Sequence, residues 1–156
     1  MRAAAILFAA LLALAVWPGN APADTGEAAV AVIMGPAYRN EIGHDELGRD
    51  ELRAVFLQRR RFWDSGAKIQ AVNLPPSNHV RRSFSLRVLG ATPEELDEYW
   101  REQYFHGERP PYVFASEEAV LRFVAQTPGA IGYVSACAAD RRVHVVWQSE
   151  PANCGH

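Results

Sequence analysis

The stretch Ser77-Asn78-His79-Val80-Arg81 holds residue types suited to gripping an anion. A hydroxyl, a carboxamide and a guanidinium follow the Pro75-Pro76 pair, where a helix is expected to start. Peptide N–H groups at a helix start lack partners within the helix and carry partial positive charge. A small oxyanion can accept from them while a nearby arginine supplies formal charge. The same residues would equally make a plain N-cap beside a solvated arginine. A second candidate is the loop Gly35 to Asn40, where Tyr38, Arg39 and Asn40 follow an apolar run. In an open α/β sheet such a loop reaches ligands at the carboxyl end of its strand; otherwise it is an ordinary connection.

Other clusters point to less specific chemistry. Arg59-Arg60-Arg61 could form a basic patch with Arg82, or could simply close a helix where cations suit the negative end of its dipole. Phe62-Trp63 reads as a core plug rather than a stacking platform, and Tyr133 likewise as a packed residue. His44-Asp45-Glu46 are adjacent on one loop and point different ways, which argues against a shared metal or an acid–base pair. Nothing assembles a nucleophile with a base, and no Gly-x-Ser-x-Gly, His-Glu-x-x-His or phosphate-loop pattern occurs. The expectation is a non-enzymatic protein without cofactor or metal.

The elements that must position these residues alternate. Ala28 to Met34 is a continuous apolar run, as in a strand buried on both faces of a parallel sheet. A helix follows, with Gly48 as N-cap, Glu51 three residues on, a Leu47/Leu52 staple, and Leu52, Val55 and Phe56 on one face. Lys68 to Leu74 reads as the next strand. Ser77 or Asn78 caps a helix with Val80, Phe84 and Val88 on one stripe, ended by Gly90. Thr92 and Glu95 form a capping box with Pro93 at the first position, ahead of Leu96, Tyr99 and Trp100. Tyr112 to Phe114 suggests a short strand, and Ser116 caps a last helix with Val120, Phe123 and Val124 inward. Thr127-Pro128-Gly129 reverses the chain into a strand from Ala130 to Val134. Gly132 within it marks a close approach of another backbone or a ligand. Val143 to Trp147 makes a final strand. Strands alternating with helices predict an α/β fold, a mostly parallel sheet flanked by helices.

The ends bound location and redox state. Arg2, the apolar run Ala3 to Val16, and Ala21-Pro22-Ala23 read as a secretory signal over residues 1–23, leaving 24–156 as one domain. The run is shorter than the ~20 apolar residues of a spanning helix. The expectation is therefore an exported, periplasmic protein with no membrane span after cleavage. The 156 residues carry a formal charge of −2, which excludes the global signature of a nucleic-acid binder. Cys137 and Cys154, the only cysteines, suit a disulfide in an exported chain. A metal site using Cys154, His156 and His144 is the rival reading.

Two segments carry a resemblance. "LRAVFLQRRRFWDSGAKIQAVNLP" resembles a signature of type II periplasmic solute-binding proteins, nearest to the phosphate-binding proteins of ABC importers, where a helix leads through a tryptophan turn to a strand. "TPGAIGYV" resembles the later "GAIGYV" segment of that family, in the same order. Full members have two lobes around a cleft; this chain resembles one lobe with a piece of crossover. In the phosphate binders an arginine and a Ser-Gly-Thr run follow the strand after the tryptophan turn. Here that region reads "NLPPSNHVRRSF", with Ser77, Asn78 and Arg81 in a similar place at a helix start. The resemblance implies a phosphate-like oxyanion as ligand and an ABC permease or another periplasmic protein as partner. A lone lobe also leaves its cleft-facing surface free for a homodimer or an interaction role instead of transport.

Overall fold

The computed structural model describes residues 28–155. The signal expected over residues 1–23 lies outside them.

Five strands form one sheet in the order β3-β2-β4-β1-β5. They are β1 (Val30–Met34), β2 (Gln70–Asn73), β3 (Tyr112–Val113), β4 (Ala130–Ser135) and β5 (His144–Gln148). The helices are α1 (Tyr38–Ile42), α2 (Arg49–Phe56), α3 (His79–Phe84), α4 (Leu96–Phe105) and α5 (Glu117–Gln126). A π-helical turn, Ser85–Leu89, continues α3 and ends at Gly90 in the left-handed conformation. The α/β fold and its flanking helices are as expected. The sheet itself is mixed rather than mostly parallel. β2 runs parallel to β3 and β4, while β1 runs antiparallel to β4 and β5. The "AAVAVIM" run suggested a parallel strand because it is apolar throughout. β1 is apolar because both faces are covered, and a covered central strand needs that composition in either direction.

Helices lie on both faces. On one, α5 sits so close to the sheet that a Cβ on Gly132 would come within 2.7 Å of Val120 and 2.9 Å of Val72, and one on Gly35 within 2.7 Å of the Val124 carbonyl oxygen. The close approach expected at Gly132 is therefore side chains from α5 and the neighbouring strand, not a ligand. On the other face Tyr133, the next residue of β4, stacks on Phe84 of α3 with ring centroids 3.9 Å apart, and Phe84 meets Phe56 of α2 edge-on at 4.6 Å. Alternation along one strand thus places a glycine under one helix and a tyrosine under two others.

Local signals shape the ends. Thr92 and Glu95 close a reciprocal capping box at 2.7 and 3.2 Å. Ser116 caps α5 through Ala119 N–H at 3.2 Å, and Gly48 N–H donates to Glu51 at 2.9 Å. The corner before β4 is held from far along the chain. Gly129 N–H donates to the buried Glu41 carboxylate at 2.6 Å, and its carbonyl accepts from Trp63 Nε1 at 3.1 Å. Of the Phe62-Trp63 pair expected as a core plug, Trp63 is one, 2% exposed, whereas Phe62 faces solvent at 58%. Cys137 and Cys154 are bonded, tying the tail to the segment after β4.

Candidate functional site

The carboxyl end of β2 leads into a cluster of polar side chains, most of them buried. Pro75-Pro76 ends the strand, and Asn78 becomes the N-cap of α3, its Oδ1 accepting from Val80 N–H at 2.8 Å and Arg81 N–H at 3.3 Å. The expected helix start is therefore present, but its cap residue already takes those two donors. Ser77 and His79 flank it, both exposed. Capping turns the first helical turn so that Arg81 points back under the strand end.

Arg81 is 7% exposed, and its Nη1 donates to the Leu74 carbonyl at 3.0 Å. Its Nε is enclosed with no acceptor in reach, as is the hydroxyl of Ser85 one turn further on. The neighbouring Arg82 points outward and pairs with Glu94 at 3.3 Å, whereas Arg81 forms no ion pair among the described residues. Tyr133 completes the cluster. Its hydroxyl donates to Asn73 Oδ1 at 3.0 Å and accepts from Leu74 N–H at 3.2 Å. Burial pushes its pKa up to about 12, against the opposing pull of the Arg81 charge. A buried guanidinium thus sits among amide, hydroxyl and carbonyl groups with no carboxylate to answer its charge.

Tyr38 and Asn40 lie elsewhere. Met34 at the carboxyl end of β1 pairs with Ile131 near the start of β4, and Gln70 at the start of β2 pairs with Ala130. The loop after β1 therefore leaves the sheet at the end where β2 and β4 begin. Ser77, Asn78 and Arg81 follow the end where β2 finishes. The two candidate regions occupy opposite rims, because β1 runs against its neighbours. At its own rim the buried Tyr38 packs against His144, with ring centroids 4.6 Å apart, and its hydroxyl accepts from Arg39 Nε at 2.9 Å. Arg39 also pairs with Asp45 at 2.7 Å, and Asn40 is exposed. Among the described residues no trio of His, Cys, Asp or Glu side chains is placed to hold a metal.

Arg60 of the basic run pairs with Glu51 and Asp64, Arg61 pairs with Glu108, and Arg59 lies over the Tyr99 ring, so the run is largely neutralised. Two members of the Arg81 cluster were not anticipated as site residues. Asn73 is a buried polar residue at the end of a strand whose last three residues are all buried, and Tyr133 carries a hydroxyl that needs a partner when buried. Those are the signals that could have marked them.

No family model matches the chain. Among curated proteins it is similar to the phosphate-binding protein PstS of Bacillus subtilis (strain 168), 30% identical over 112 residues that make up 68% of this chain and 32% of that protein. Among solved structures it is similar to an ABC-type phosphate transport receptor from Vibrio cholerae, with a TM-score of 0.59 at 18% identity, covering 77% of this chain and 47% of that one. PstS from Borrelia burgdorferi gives a TM-score of 0.56 at 20% identity, covering 76% and 47%. The chain thus spans about a third of the curated relative and just under half of the solved structures. It resembles the phosphate ABC transporter substrate-binding proteins in sequence and matches one lobe of them in fold.

Proposed function

From this likeness to one lobe of phosphate receptors, we propose that the chain is an exported, non-enzymatic solute-binding module. It takes a small oxyanion such as phosphate at Arg81, with Ser77 and Asn78 at the lip, and acts for or alongside an ABC importer in the periplasm. The observation that carries this reading is the burial of Arg81 without a carboxylate partner. An uncompensated buried charge costs several kcal/mol, so such groups are retained where something else supplies the counter-charge. Tyr38 and Asn40, at the opposite rim, would not share that ligand. With amide and hydroxyl groups around the guanidinium and no carboxylate to accept a proton from the ligand, sulfate should compete with phosphate.

Calorimetry and thermal shift on the exported chain with phosphate, sulfate and acetate test this. Saturation at ~100 times the dissociation constant adds about 2.7 kcal/mol to stability. Arg81→Met should lose that gain and the binding heat. An absence of heat with every anion at millimolar concentration would sink the reading, as would unchanged binding by the variant.

The second reading is an interaction or structural protein of the periplasm that binds a protein partner with its exposed lobe face. Its support is the aromatic exposure at one edge, with Tyr104 at 64%, Phe105 at 87% and Tyr112 at 73%.

A further inference from the structure

Away from Arg81, three concavities join along α4 and the sheet edge. The first, about 340 Å³, is lined by Asp97, Trp100, Arg101 and Tyr104. The second, about 260 Å³, shares Tyr104 and adds Gly107 and Arg109. The third, about 250 Å³, shares Arg109 and runs between Lys68–Val72 and Pro110–Tyr112. Tyr104 lines the first two and Arg109 the last two, which sets the three side by side as a groove of adjoining hollows. Its length comes from α4 ending at Phe105 and the chain turning through Gly107, at a φ of 80°, into the two prolines before β3.

The groove gathers cations. Several arginines elsewhere are matched: Arg39 with Asp45, Arg60 with Glu51 and Asp64, Arg61 with Glu108, Arg82 with Glu94, and Arg142 with Glu118 and Asp140. Lys68, Arg101 and Arg109 have no carboxylate within ion-pair distance among the described residues, and Asp97 is the only acid on the walls. Trp100, Tyr104 and Tyr112 line the same walls as these cations. Trp100 is half-buried, while Tyr104 and Tyr112 are exposed, and tyrosine, tryptophan and arginine together are the composition of protein-binding hot spots.

We propose that this groove docks an extended acidic peptide segment of a partner protein. Its carboxylates would lie on Arg101, Arg109 and Lys68, and its apolar side chains between Trp100, Tyr104 and Tyr112. The chain as a whole is negative, at −2, so the cations of the groove do not belong to a generally basic surface. That suits a short acidic segment and opposes a uniform polyanion such as nucleic acid or an anionic membrane, whose binding rests on many phosphate contacts.

Fluorescence anisotropy on the exported chain tests this, with a labelled decapeptide alternating glutamate with valine and tyrosine. A lysine counterpart, a single-stranded oligonucleotide and phosphatidylglycerol vesicles serve as controls. The glutamate peptide should bind and weaken as salt rises. Arg109→Ala, Arg101→Ala and Lys68→Ala should each weaken it about two- to fivefold, and the triple variant beyond about tenfold. Circular dichroism checks that each variant is folded, and unchanged phosphate titration in the triple variant separates this groove from Arg81. No binding of the glutamate peptide at millimolar concentration would overturn the proposal. So would equal binding of the lysine peptide, preference for the oligonucleotide or vesicles, indifference to all three substitutions, or dimerisation of the chain through this face.

Discussion

Replacing Gly132 with alanine should destabilise the protein through two facing valines. The new Cβ would lie 2.7 Å from Val120 Cγ1, 2.9 Å from Val72 Cγ2 and 3.3 Å from Val124 Cγ2. Favourable carbon contacts sit at ~3.5–4.0 Å, so the nearest two must open by more than half an ångström. Neither valine can yield cheaply, since both are at most 2% exposed and β-branched side chains have few rotamers. Overpacking of this kind costs about 1–3 kcal/mol, and the loss of glycine's freedom in the unfolded chain returns about 0.4–1 kcal/mol. The net loss is about 1–2 kcal/mol. With a urea slope of ~1–3 kcal/mol/M, the midpoint falls by roughly 0.3–2 M. Val120→Ala removes the closest obstacle. The double variant should then lose less than the sum of the singles, by more than about 0.5 kcal/mol. A Gly132→Ala protein as stable as the parent, or purely additive behaviour in the double variant, would refute the close packing of α5 on β4.

Removing the Cys137–Cys154 bond, which closes a separation of 17 residues, should cost about 3 kcal/mol in denaturant midpoint measurements, and an unchanged midpoint would argue against it. Arg142 hydrogen-bonds Glu118 and Asp140 and holds both carboxyls near 2, below their ordinary 4.5 and 3.8. Carboxylates depressed on folding stabilise above their unfolded pKa and lose that contribution as pH falls. The thermal midpoint should therefore drop between about pH 4.5 and 2, and Arg142→Ala should flatten that slope slightly, since all these groups are exposed. Tyr133→Phe leaves Asn73 Oδ1 and Leu74 N–H without the hydroxyl and should cost at least about 1 kcal/mol in chemical denaturation. Because the Tyr133 pKa rises from 10 to about 12 on folding, the parent should also lose stability as pH climbs through that window, and the variant should lack this loss.

What could be read from the sequence was what depends on near neighbours. The caps at Asn78, Ser116 and the Thr92/Glu95 pair were legible because each hydrogen bond spans two or three residues. The Trp63 plug and the tightness around Gly132 followed from residue type. Strand direction did not, because the pairing of β1 with β4 joins distant segments and an apolar run carries no arrow. That one choice decided the candidate site: parallel strands would have placed Tyr38 and Asn40 beside Asn78 and Arg81, and the antiparallel β1 separates them. The burial of Arg81 was equally out of reach, since arginine is ordinarily a surface residue and only the turn after Pro75-Pro76 folds it inward.

The place of β1 has a bearing on how the molecule is made. It is the first described strand, yet its only ladder partners, β4 and β5, are the last, and Val30 N–H reaches Ser149 Oγ across 119 positions. Its apolar residues have no ladder partners until nearly all of the described residues have been synthesised. Closing so long a loop is entropically slow. Assembly of the sheet centre therefore waits on β4 and β5, which flank β1 on either side, and until they arrive the nascent chain carries an apolar strand without its partners.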